Sequence, residues 1–254
     1  MNKYLKNLKK IEFVITYACT GSCKHCSEGA HKQSGEHIAP NIAADAVRKT
    51  AKLHPITTVM TFGGEPLLYP ESVFTIHKAA AELNIPKRQV ITNGYFSKDG
   101  EQIRKIAAQL AESGVNDLLL SVDAFHQETI PIETVKCFAM AAKNAGVPIR
   151  TQPAWLVSPK ADNPYNRKTK AILEEFAKLG ITENEGNVIF PKGSALIYLK
   201  EYFKGEIAED PYREDPKNVT CASVSPNGDV LGGNVYRQDM AEILERYTPE
   251  LYIE

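Results

Sequence analysis

The sequence predicts an α/β fold in which parallel strands form an open, three-quarter barrel. Short apolar, β-branched runs alternate with amphipathic helical patterns about every 30 residues, which indicates right-handed βαβ crossovers. Six such units are too few to close an eight-stranded barrel. The pattern therefore predicts a partial (βα)6 TIM-like barrel, with its functional residues on the loops that follow the strands.

Strands are expected where apolar runs end in polar loops, at residues 11–17, 57–62, 88–92, 117–122, 148–152 and 187–190. Apolar residues at helical spacing predict the intervening helices. These are a helix capped by Asn41, helices at about 71–83 and 98–113, and two that end at Gly146 and near Gly180.

The C-terminal part of the chain departs from this alternation. A helix at about 195–203 is followed by a segment rich in charge and proline, 204–218, which is typical of a surface linker. Two short strands, 220–224 and 229–231, are predicted to form a hairpin, and a helix at about 238–247 follows. We expect residues 1–204 to form the barrel and residues 205–254 to form a linker and an appendage packed on it.

Composition limits the possible partners and the compartment. The 254 residues suffice for one domain, and 30 Lys and Arg against 31 Asp and Glu give no field that would attract nucleic acid or an anionic membrane. No apolar run approaches the roughly 18 residues of a membrane span, and the basic N-terminus lacks a signal-peptide pattern. An odd number of cysteines, three of them clustered, indicates a reducing compartment. We expect a cytoplasmic protein without nucleic-acid or membrane partners.

The clustered cysteines, Cys19, Cys23 and Cys26, are spaced C-x3-C-x2-C directly after the first predicted strand. No further Cys or His follows at a spacing that would complete a tetrahedral zinc site. Three thiolates on a [4Fe-4S] cluster leave one iron open to another ligand. One interpretation is a reactive cluster; the other is a non-catalytic iron-sulfur or zinc module with a fourth protein ligand.

This loop resembles the C-x3-C-x-aromatic-C signature of the radical S-adenosylmethionine (SAM) enzymes, with His25 in the ring position. The resemblance implies that the three cysteines bind a [4Fe-4S] cluster and that the amino and carboxylate groups of SAM chelate the fourth iron. Reductive cleavage of SAM then releases a 5'-deoxyadenosyl radical. It also implies a partial barrel, a reduced flavodoxin or ferredoxin as electron donor, and His25 packed near the adenine.

Gly63, Gly64 and Glu65 form a second motif, directly after the second predicted strand. Glycines at a strand end permit close approach of backbone to a ligand, and a carboxylate beside them can accept from an ammonium group. The motif is similar to the family's GGE motif, which implies that Glu65 binds the methionyl amino group of SAM. The alternative is an ordinary βα turn with a solvated Glu.

Polar residues at later strands are further candidates for SAM binding. Ser121 and Asp123, two apart on a predicted strand, should share a face and resemble the family's ribose motif; the alternative is a capping Asp and a core-facing Ser. Thr92 and Asn93 occupy a similar place one strand earlier. Arg150 lies in an apolar strand, where an unpaired guanidinium is expensive, so we expect it to bind the methionyl carboxylate or to form a structural ion pair.

Three residues at strand ends, Tyr17, Tyr95 and His126, are candidates for substrate contact, with packing as the alternative for each. The remaining histidines have no joint ligand spacing and are expected on the surface or in the core. Cys137 lies among apolar helix residues and is expected to be a small buried hydrophobe.

The segment starting at Cys221 resembles the beginning of the SPASM or twitch module, which binds auxiliary clusters in peptide-modifying members of the family. No later cysteine follows, so we expect a remnant hairpin without a second cluster. A sharper hypothesis makes Cys221 a hydrogen-atom donor to a substrate radical, which requires it to reach the barrel mouth.

The resemblance implies hydrogen abstraction from a substrate, and the partial hairpin favours a peptide or protein. Segment 158–168 and the C-terminal appendage are expected to wall the substrate. A glycyl-radical-enzyme activase is an alternative, although Asp123-Ala124-Phe125 departs from the Asp-x-Lys pattern typical of those proteins. A nucleoside or sugar substrate is another. The motifs leave open whether the final reaction is epimerisation, cross-linking, methylation or cleavage, because one scaffold serves all of them.

Overall fold

The computed structural model describes residues 2–31, 35–203 and 213–251. Seven parallel strands form the main sheet in the order β7-β5-β4-β3-β2-β1-β9. Their bounds are β1 Lys10–Val14, β2 Thr58–Phe62, β3 Lys87–Thr92, β4 Asp117–Leu120, β5 Ile149–Thr151, β7 Thr182–Glu183 and β9 Cys221–Val224. The remaining strands are β6 Ala154–Trp155, β8 Asn187–Val188, β10 Asp229–Val230 and β11 Gly233–Asn234.

Helices connect successive strands, as the sequence predicts. They are α1 Pro40–Leu53, α2 Pro70–Glu82, α3 Gly100–Glu112, α4 Ile132–Asn144, α5 Pro164–Lys178, α6 Ser194–Tyr198 and α7 Met240–Arg246. Alternate strand residues such as Ile11, Phe13 and Val59 are fully buried in the core that the sheet shares with the helices. The sheet does not close on itself among the described residues, because β7 and β9 are its two edges. The prediction of an α/β partial barrel is confirmed.

The sixth strand of the main sheet differs from the predicted one. It is β7, which pairs with β5, whereas the predicted strand at 187–190 contributes β8 to a separate two-stranded parallel sheet with β6. Ile189 explains the difference, because it is buried in a second, smaller core with Phe125 and Leu156 rather than under the main sheet.

The predicted C-terminal hairpin is also corrected. Strand β9 does not pair with β10; it lies parallel to β1 in the main sheet, with Cys221 opposite Lys10. The hairpin joins β10 to β11 instead. Ala222 and Val224 are fully buried in the main core, so this strand covers the edge of β1 that would otherwise have unpaired backbone groups. Most of the predicted linker, residues 204–212, falls outside the described residues.

Several local predictions change as well. Asn41 lies inside α1, whose N-cap is Ala39, because Pro40 takes the first helical position. The predicted helix at 195–203 divides into α6 and a 3-10 turn, Lys200–Tyr202. Cys137 is exposed rather than buried, since the core face of α4 is formed by other residues. In the described part of the chain, no helix is long and apolar enough to cross a membrane.

One buried histidine makes the fold sensitive to acid. His77 on α2 is fully buried, its Nε2 lies 2.9 Å from Oγ1 of Thr61, and its Nδ1 has no hydrogen-bond partner among the described residues. Desolvation lowers the pKa of His77 to about 3. The folded state therefore keeps the ring neutral at pH values where the unfolded chain binds a proton.

We predict that His77 lowers the free energy of unfolding as the pH falls from 6.5 towards 3. Relative to a His77→Leu variant, the wild type should lose about 2 kcal/mol of unfolding free energy between pH 7.5 and pH 5. Denaturant titrations at the two pH values measure this. A Thr61→Val variant, which loses the same hydrogen bond without removing the titratable ring, serves as control and should keep the wild-type pH dependence. Equal pH dependence of wild type and His77→Leu would contradict the assignment.

Candidate active site

The three clustered cysteines line one cavity at the carboxyl end of the sheet. Their loop starts just after β1, and two hydrogen bonds to Sγ of Cys19 orient that side chain: from the backbone N–H of Gly21 at 3.4 Å and from Nδ2 of Asn93 at 3.5 Å. Burial raises the pKa of Cys19 to about 11 and also raises that of Cys23. The thiols of Cys19 and Cys23 are therefore protonated at neutral pH, and metal binding must release their protons.

Gly63 and Gly64 bring the end of β2 against the start of the cysteine loop. The N–H of Gly64 donates to the carbonyl of Thr16 at 2.7 Å, and the N–H of Glu65 donates to the carbonyl of Ala18 at 2.8 Å. A Cβ on Gly64 would lie 2.0 Å from the Ala18 oxygen, and Gly63 has a φ of +146°. Only glycine permits this approach, and both glycines line the cavity.

Glu65 does not face the cavity, in contrast to the prediction that it binds an ammonium group there. It is fully buried, and its carboxylate accepts from the N–H of Leu67 at 2.9 Å, from the hydroxyl of Thr92 at 2.7 Å and from the N–H of Asn93 at 2.8 Å. Desolvation raises the pKa of Glu65 to about 7. The side chain thus ties the end of β2 to the end of β3.

Thr92 and Asn93 do line the cavity, as predicted from their position. Besides its contact with Cys19, the Asn93 amide donates to the hydroxyl of Thr20 at 3.2 Å. The Glu65 bonds fix both residues, because one goes to the Thr92 side chain and the other to the Asn93 backbone. The end of β3 is thereby fixed against the cysteine loop.

Ser121 lines the cavity and Asp123 does not. Strand β4 ends at Leu120, so the two-residue alternation that predicted a shared face does not extend to Asp123. The Asp123 carboxylate is fully buried and accepts from the N–H groups of Phe125, His126 and Ala154 and from Nδ1 of His126. The predicted ribose contact of Asp123 is replaced by the capping role that was its alternative.

Asp123 orients His126, which lines the cavity close to His25. Oδ2 of Asp123 lies 2.8 Å from Nδ1 of His126. Burial raises the pKa of Asp123, but the interaction with His126 outweighs it, and the net result is a lowered pKa. The carboxylate is therefore ionised, and it holds the ring with Nδ1 as the donor.

The His25 ring packs against Phe125 and His126, at centroid distances of 5.1 Å and 4.8 Å. Desolvation lowers its pKa to about 4, and its buried Nδ1 has no hydrogen-bond partner among the described residues. Candidate ligand atoms of Cys23, His25 and His126 lie within 4.8 Å of one another. Sulfur and nitrogen donors thus converge on one side of the cavity.

His31 is a residue that the sequence interpretation missed, because it was assigned to the surface or core. Its Nε2 lies 3.0 Å from Sγ of Cys26, and its Nδ1 lies 2.8 Å from the carbonyl oxygen of Tyr17. Since a carbonyl only accepts, Nδ1 carries a proton. The contact with Cys26 raises the pKa of His31. The only feature of the sequence that could have indicated this contact is the position of His31, five residues after the last cysteine of the loop.

The donor set fits an iron-sulfur cluster with one open iron. Three cysteines line the cavity together with two glycines and the polar residues Thr92, Asn93 and Ser121. Cysteine thiolates are the usual cluster ligands, and a glycine-lined wall leaves room for a second ligand.

Comparison with known proteins agrees with this geometry. The sequence profile described as "Radical SAM superfamily" matches residues 13–189, more than half of the chain. The chain belongs to the radical SAM superfamily. It is thus an enzyme of a class that uses SAM and a [4Fe-4S] cluster, and the resemblance of its cysteine loop is confirmed. No curated protein has a sequence that matches significantly.

Solved structures of radical SAM enzymes share the fold at low sequence identity. The structure "Native anSMEcpe with bound AdoMet" is 15% identical, with a TM-score of 0.58 over 94% of this chain and 80% of that one. SuiB of Streptococcus suis, bound to S-adenosylmethionine, is 14% identical, with a TM-score of 0.57 over 94% and 66%. BtrN in complex with AdoMet and 2-DOIA is 15% identical, with a TM-score of 0.53 over 93% and 81%.

Arg150 lies away from this radical SAM cavity, which corrects its predicted contact with the SAM carboxylate. Its guanidinium forms an ion pair with Asp117 at 2.6 Å and donates to Asn184 at 2.8 Å. A structural ion pair was the alternative, and Asp117 at the start of β4 is the partner. Tyr17 and Tyr95 are also absent from the cavity wall: Tyr17 is 49% exposed, and Tyr95 packs on the main core.

Cys221 lies at the opposite end of the sheet from the cluster loop. It pairs with Lys10 at the start of β1, so at about 3.3 Å per residue it is at least about 13 Å from the end of that strand. Its neighbours there include Glu12, Lys10 and Glu214, and burial raises its pKa. The hypothesis that Cys221 reaches the barrel mouth is therefore wrong.

The cavity has a wall that the sequence did not predict. It consists of residues from β6, β8 and the segments next to them: Gln152, Pro153, Ala154, Asn187, Val188, Ile189 and Phe190. The expected walls, segment 158–168 and the C-terminal appendage, contribute no lining residue from the parts that the structure describes. Helix α6 follows this wall, and the N–H of Ser194 donates to the carbonyl of Cys26 at 2.8 Å.

The close approach at Gly64 yields a testable prediction. Gly64→Ala should lower the unfolding free energy by about 3 kcal/mol or more, because the added methyl group overlaps backbone atoms that cannot move independently. It should also reduce the iron retained after reconstitution. Denaturant titration and iron analysis measure the two effects. The control is Gly100→Ala, where the new Cβ would meet only the end of the Arg104 side chain, at 3.5 Å.

The position of Cys221 gives a second prediction. Cys221→Ala should retain the cluster and form 5'-deoxyadenosine at the wild-type rate, whereas Cys23→Ala should lose both. Iron analysis and chromatography of the SAM products under anaerobic, reducing conditions provide the comparison. If Cys221→Ala lost the cluster while its fold stayed intact, the end of the sheet opposite the cysteine loop would take part in holding the cluster, which would contradict this assignment.

Proposed function

We propose that this radical SAM enzyme abstracts hydrogen from a peptide or protein substrate bound in the cavity at the carboxyl end of its sheet. The observation that carries the proposal is the convergence of Cys19, Cys23 and Cys26 with Gly63 and Gly64 on a single cavity. When bound, the cluster and SAM supply an electron and a 5'-deoxyadenosyl radical. The protein holds both and positions the C–H bond of the substrate.

Individual residues have distinct proposed roles. The three cysteines hold the cluster, and the backbone of Gly63 and Gly64 leaves space for the methionyl part of SAM. The side chains of Thr92, Asn93 and Ser121 offer hydroxyl and amide groups to its polar atoms. His25 lies within the cluster loop and His126 packs against it, with His126 fixed by Asp123 so that its other ring nitrogen is available to a ligand.

Two further roles change from the sequence-based expectation. Glu65 and Asp123 act through the residues they hold, because both carboxylates are fully buried and already accept several hydrogen bonds. Removing either carboxylate leaves several buried donors without partners. The electron donor we propose is reduced flavodoxin or ferredoxin, and the compartment is the cytoplasm.

A peptide substrate is supported by similar structures. Two anSMEcpe structures contain bound peptides, and SuiB has been solved with its precursor peptide SuiA. These proteins share 13–15% sequence identity with this chain, so the likeness shows the fold, and the substrate class is our proposal. The likeness of the C-terminal segment to a SPASM or twitch module points the same way and stays a prediction.

A small-molecule substrate is the second candidate. BtrN, which has a similar fold, has been solved with 2-DOIA. The polar part of the cavity wall, Thr92, Asn93 and Ser121, would also suit a hydroxylated ligand such as a nucleoside or sugar. The glycyl-radical activase alternative has no comparable support, since Asp123-Ala124-Phe125 stands after β4 where those proteins have the Asp-x-Lys pattern.

Anaerobic reconstitution tests the proposal. The wild type should bind about four irons per chain and form 5'-deoxyadenosine in the presence of SAM and a reductant. A Cys23→Ala variant should fail in both respects. Cys137→Ala is the matched control, because Cys137 is exposed on α4 and does not line the cavity.

The substrate class is tested by deuterium transfer. Candidate peptides, deuterated at Cα and Cβ, should transfer deuterium to 5'-deoxyadenosine, while deuterated nucleosides and sugars should not. Transfer from a small molecule alone would replace the peptide assignment by the second candidate. A chain that binds zinc and leaves SAM intact would overturn the chemistry as a whole.

A further inference from the structure

The cavity wall contains a strand with a free edge. In the small parallel sheet, the N–H of Asn187 donates to the carbonyl of Pro153 and the N–H of Ile189 donates to the carbonyl of Trp155, both at 2.9 Å. In a parallel ladder alternate residues bond to the same neighbour, so the N–H and C=O of Val188 point away from β6. Neither group has a hydrogen-bond partner among the described residues, and Val188 is 46% exposed.

This edge leads directly to the cluster loop. Asn187, Val188 and Ile189 line the same cavity as the three cysteines. A few residues later, the backbone of Gly193 and Ser194 lies against the carbonyl of Cys26, which accepts the hydrogen bond from Ser194. An extended chain that added to β8 would therefore lie in the wall of the reaction cavity.

The edge is also held rigidly. Ile189, next to Val188, is buried in the second core. Two residues after the end of the neighbouring strand β6, Val157 has a φ of +69°, which is unusual for a β-branched residue. The loop that contains it is fixed by Asn166, a buried side chain that accepts from the N–H of Leu156 and donates to the carbonyls of Leu156, Ser158 and Ala161. A fixed edge loses little conformational entropy when a partner strand binds.

We propose that an extended segment of the peptide substrate binds as an added strand on the free edge of β8, exchanging backbone hydrogen bonds with Val188. This inference rests on the proposed peptide-modifying function and specifies how the substrate docks. An extended peptide presents an N–H and a C=O at the spacing that an edge strand matches, whereas a sugar or nucleoside does not. The recognition uses backbone atoms, so it fixes the path of the peptide past the cluster loop without fixing its sequence.

Exposed apolar side chains on the edge and on the helix that follows it in the chain suit apolar residues of such a peptide. Leu196, Ile197 and Tyr198 of α6 are 46%, 72% and 58% exposed, and Val188 itself has an exposed apolar side chain. Alternate residues of an added strand point to the same side. We therefore expect preferred peptides to have apolar residues at alternate positions.

The test uses the anaerobic holoenzyme with SAM and no reductant, so that binding is measured without turnover. A random dodecapeptide library is selected against it, and fluorescence anisotropy gives the affinity of a labelled binder. Singly N-methylated versions of that peptide should bind normally except at one amide, the one that donates to the carbonyl of Val188. Methylation there should weaken binding about tenfold, the loss of one backbone hydrogen bond together with a steric clash.

Substitution of the protein provides the reciprocal measurement. Val188→Pro removes the outward N–H without removing a bond to β6, and it should weaken peptide binding about tenfold. Val188→Thr keeps the N–H and a β-branched side chain and should bind as the wild type does. Iron content and thermal melting verify that both variants are folded; if Val188→Pro is not, the N-methyl scan on the wild type decides.

The outcomes separate this inference from the proposed function. The docking mode would be overturned, and the function left intact, if peptides bind and are turned over but no amide is sensitive to methylation. Equal peptide binding by the Val188→Pro and Val188→Thr variants would have the same meaning. A library that yields no binder, together with deuterium transfer from a small molecule, would overturn both. Light scattering that shows a dimer abolished by Val188→Pro would assign the edge to a second copy of the chain instead.

Discussion

The site depends on one close contact between backbones, where the end of β2 meets the start of the cysteine loop. Two hydrogen bonds connect them, from Gly64 to Thr16 and from Glu65 to Ala18, and the space that a side chain would need at Gly64 is filled by the carbonyl of Ala18. Because the loop is fixed at this point, Cys19 follows in a defined direction. The same glycines line the cavity without side chains, so one constraint both places the metal ligands and makes room for a second ligand.

Two buried carboxylates then hold the surrounding polar groups. Glu65 connects the ends of β2 and β3, and Asp123 connects the end of β4 to His126 and to β6. Neither is exposed to the cavity, yet Thr92, Asn93 and His126, which do line it, owe their positions to them. In this protein the acidic residues of the motifs act as supports, and neutral or basic side chains form the lining.

The sequence predicted the parts of the site that depend on spacing along the chain. The cysteines, the glycines, Thr92, Asn93, Ser121 and His126 are each adjacent to a strand end, and a parallel sheet brings strand ends together whatever the details of packing. The sequence-based prediction failed for residues whose role depends on contacts with residues distant in the sequence. Arg150 pairs with Asp117 and Cys221 with the start of β1, and neither partner is indicated by a local pattern. The wall formed by β6 and β8 was missed because strands of two residues are too short for a periodic signal.

The central claim is that the three-cysteine loop holds a cluster whose fourth iron is ligated by SAM. Electron–nuclear double resonance on the reduced holoenzyme, with SAM labelled with 15N at its amino group, tests it directly. We predict a 15N hyperfine coupling between the cluster and the labelled nitrogen, and a 14N signal in its place when unlabelled SAM is used. The absence of that coupling, with a coupling to a histidine nitrogen of the protein in its place, would show that the chain supplies the fourth ligand itself and would contradict the claim.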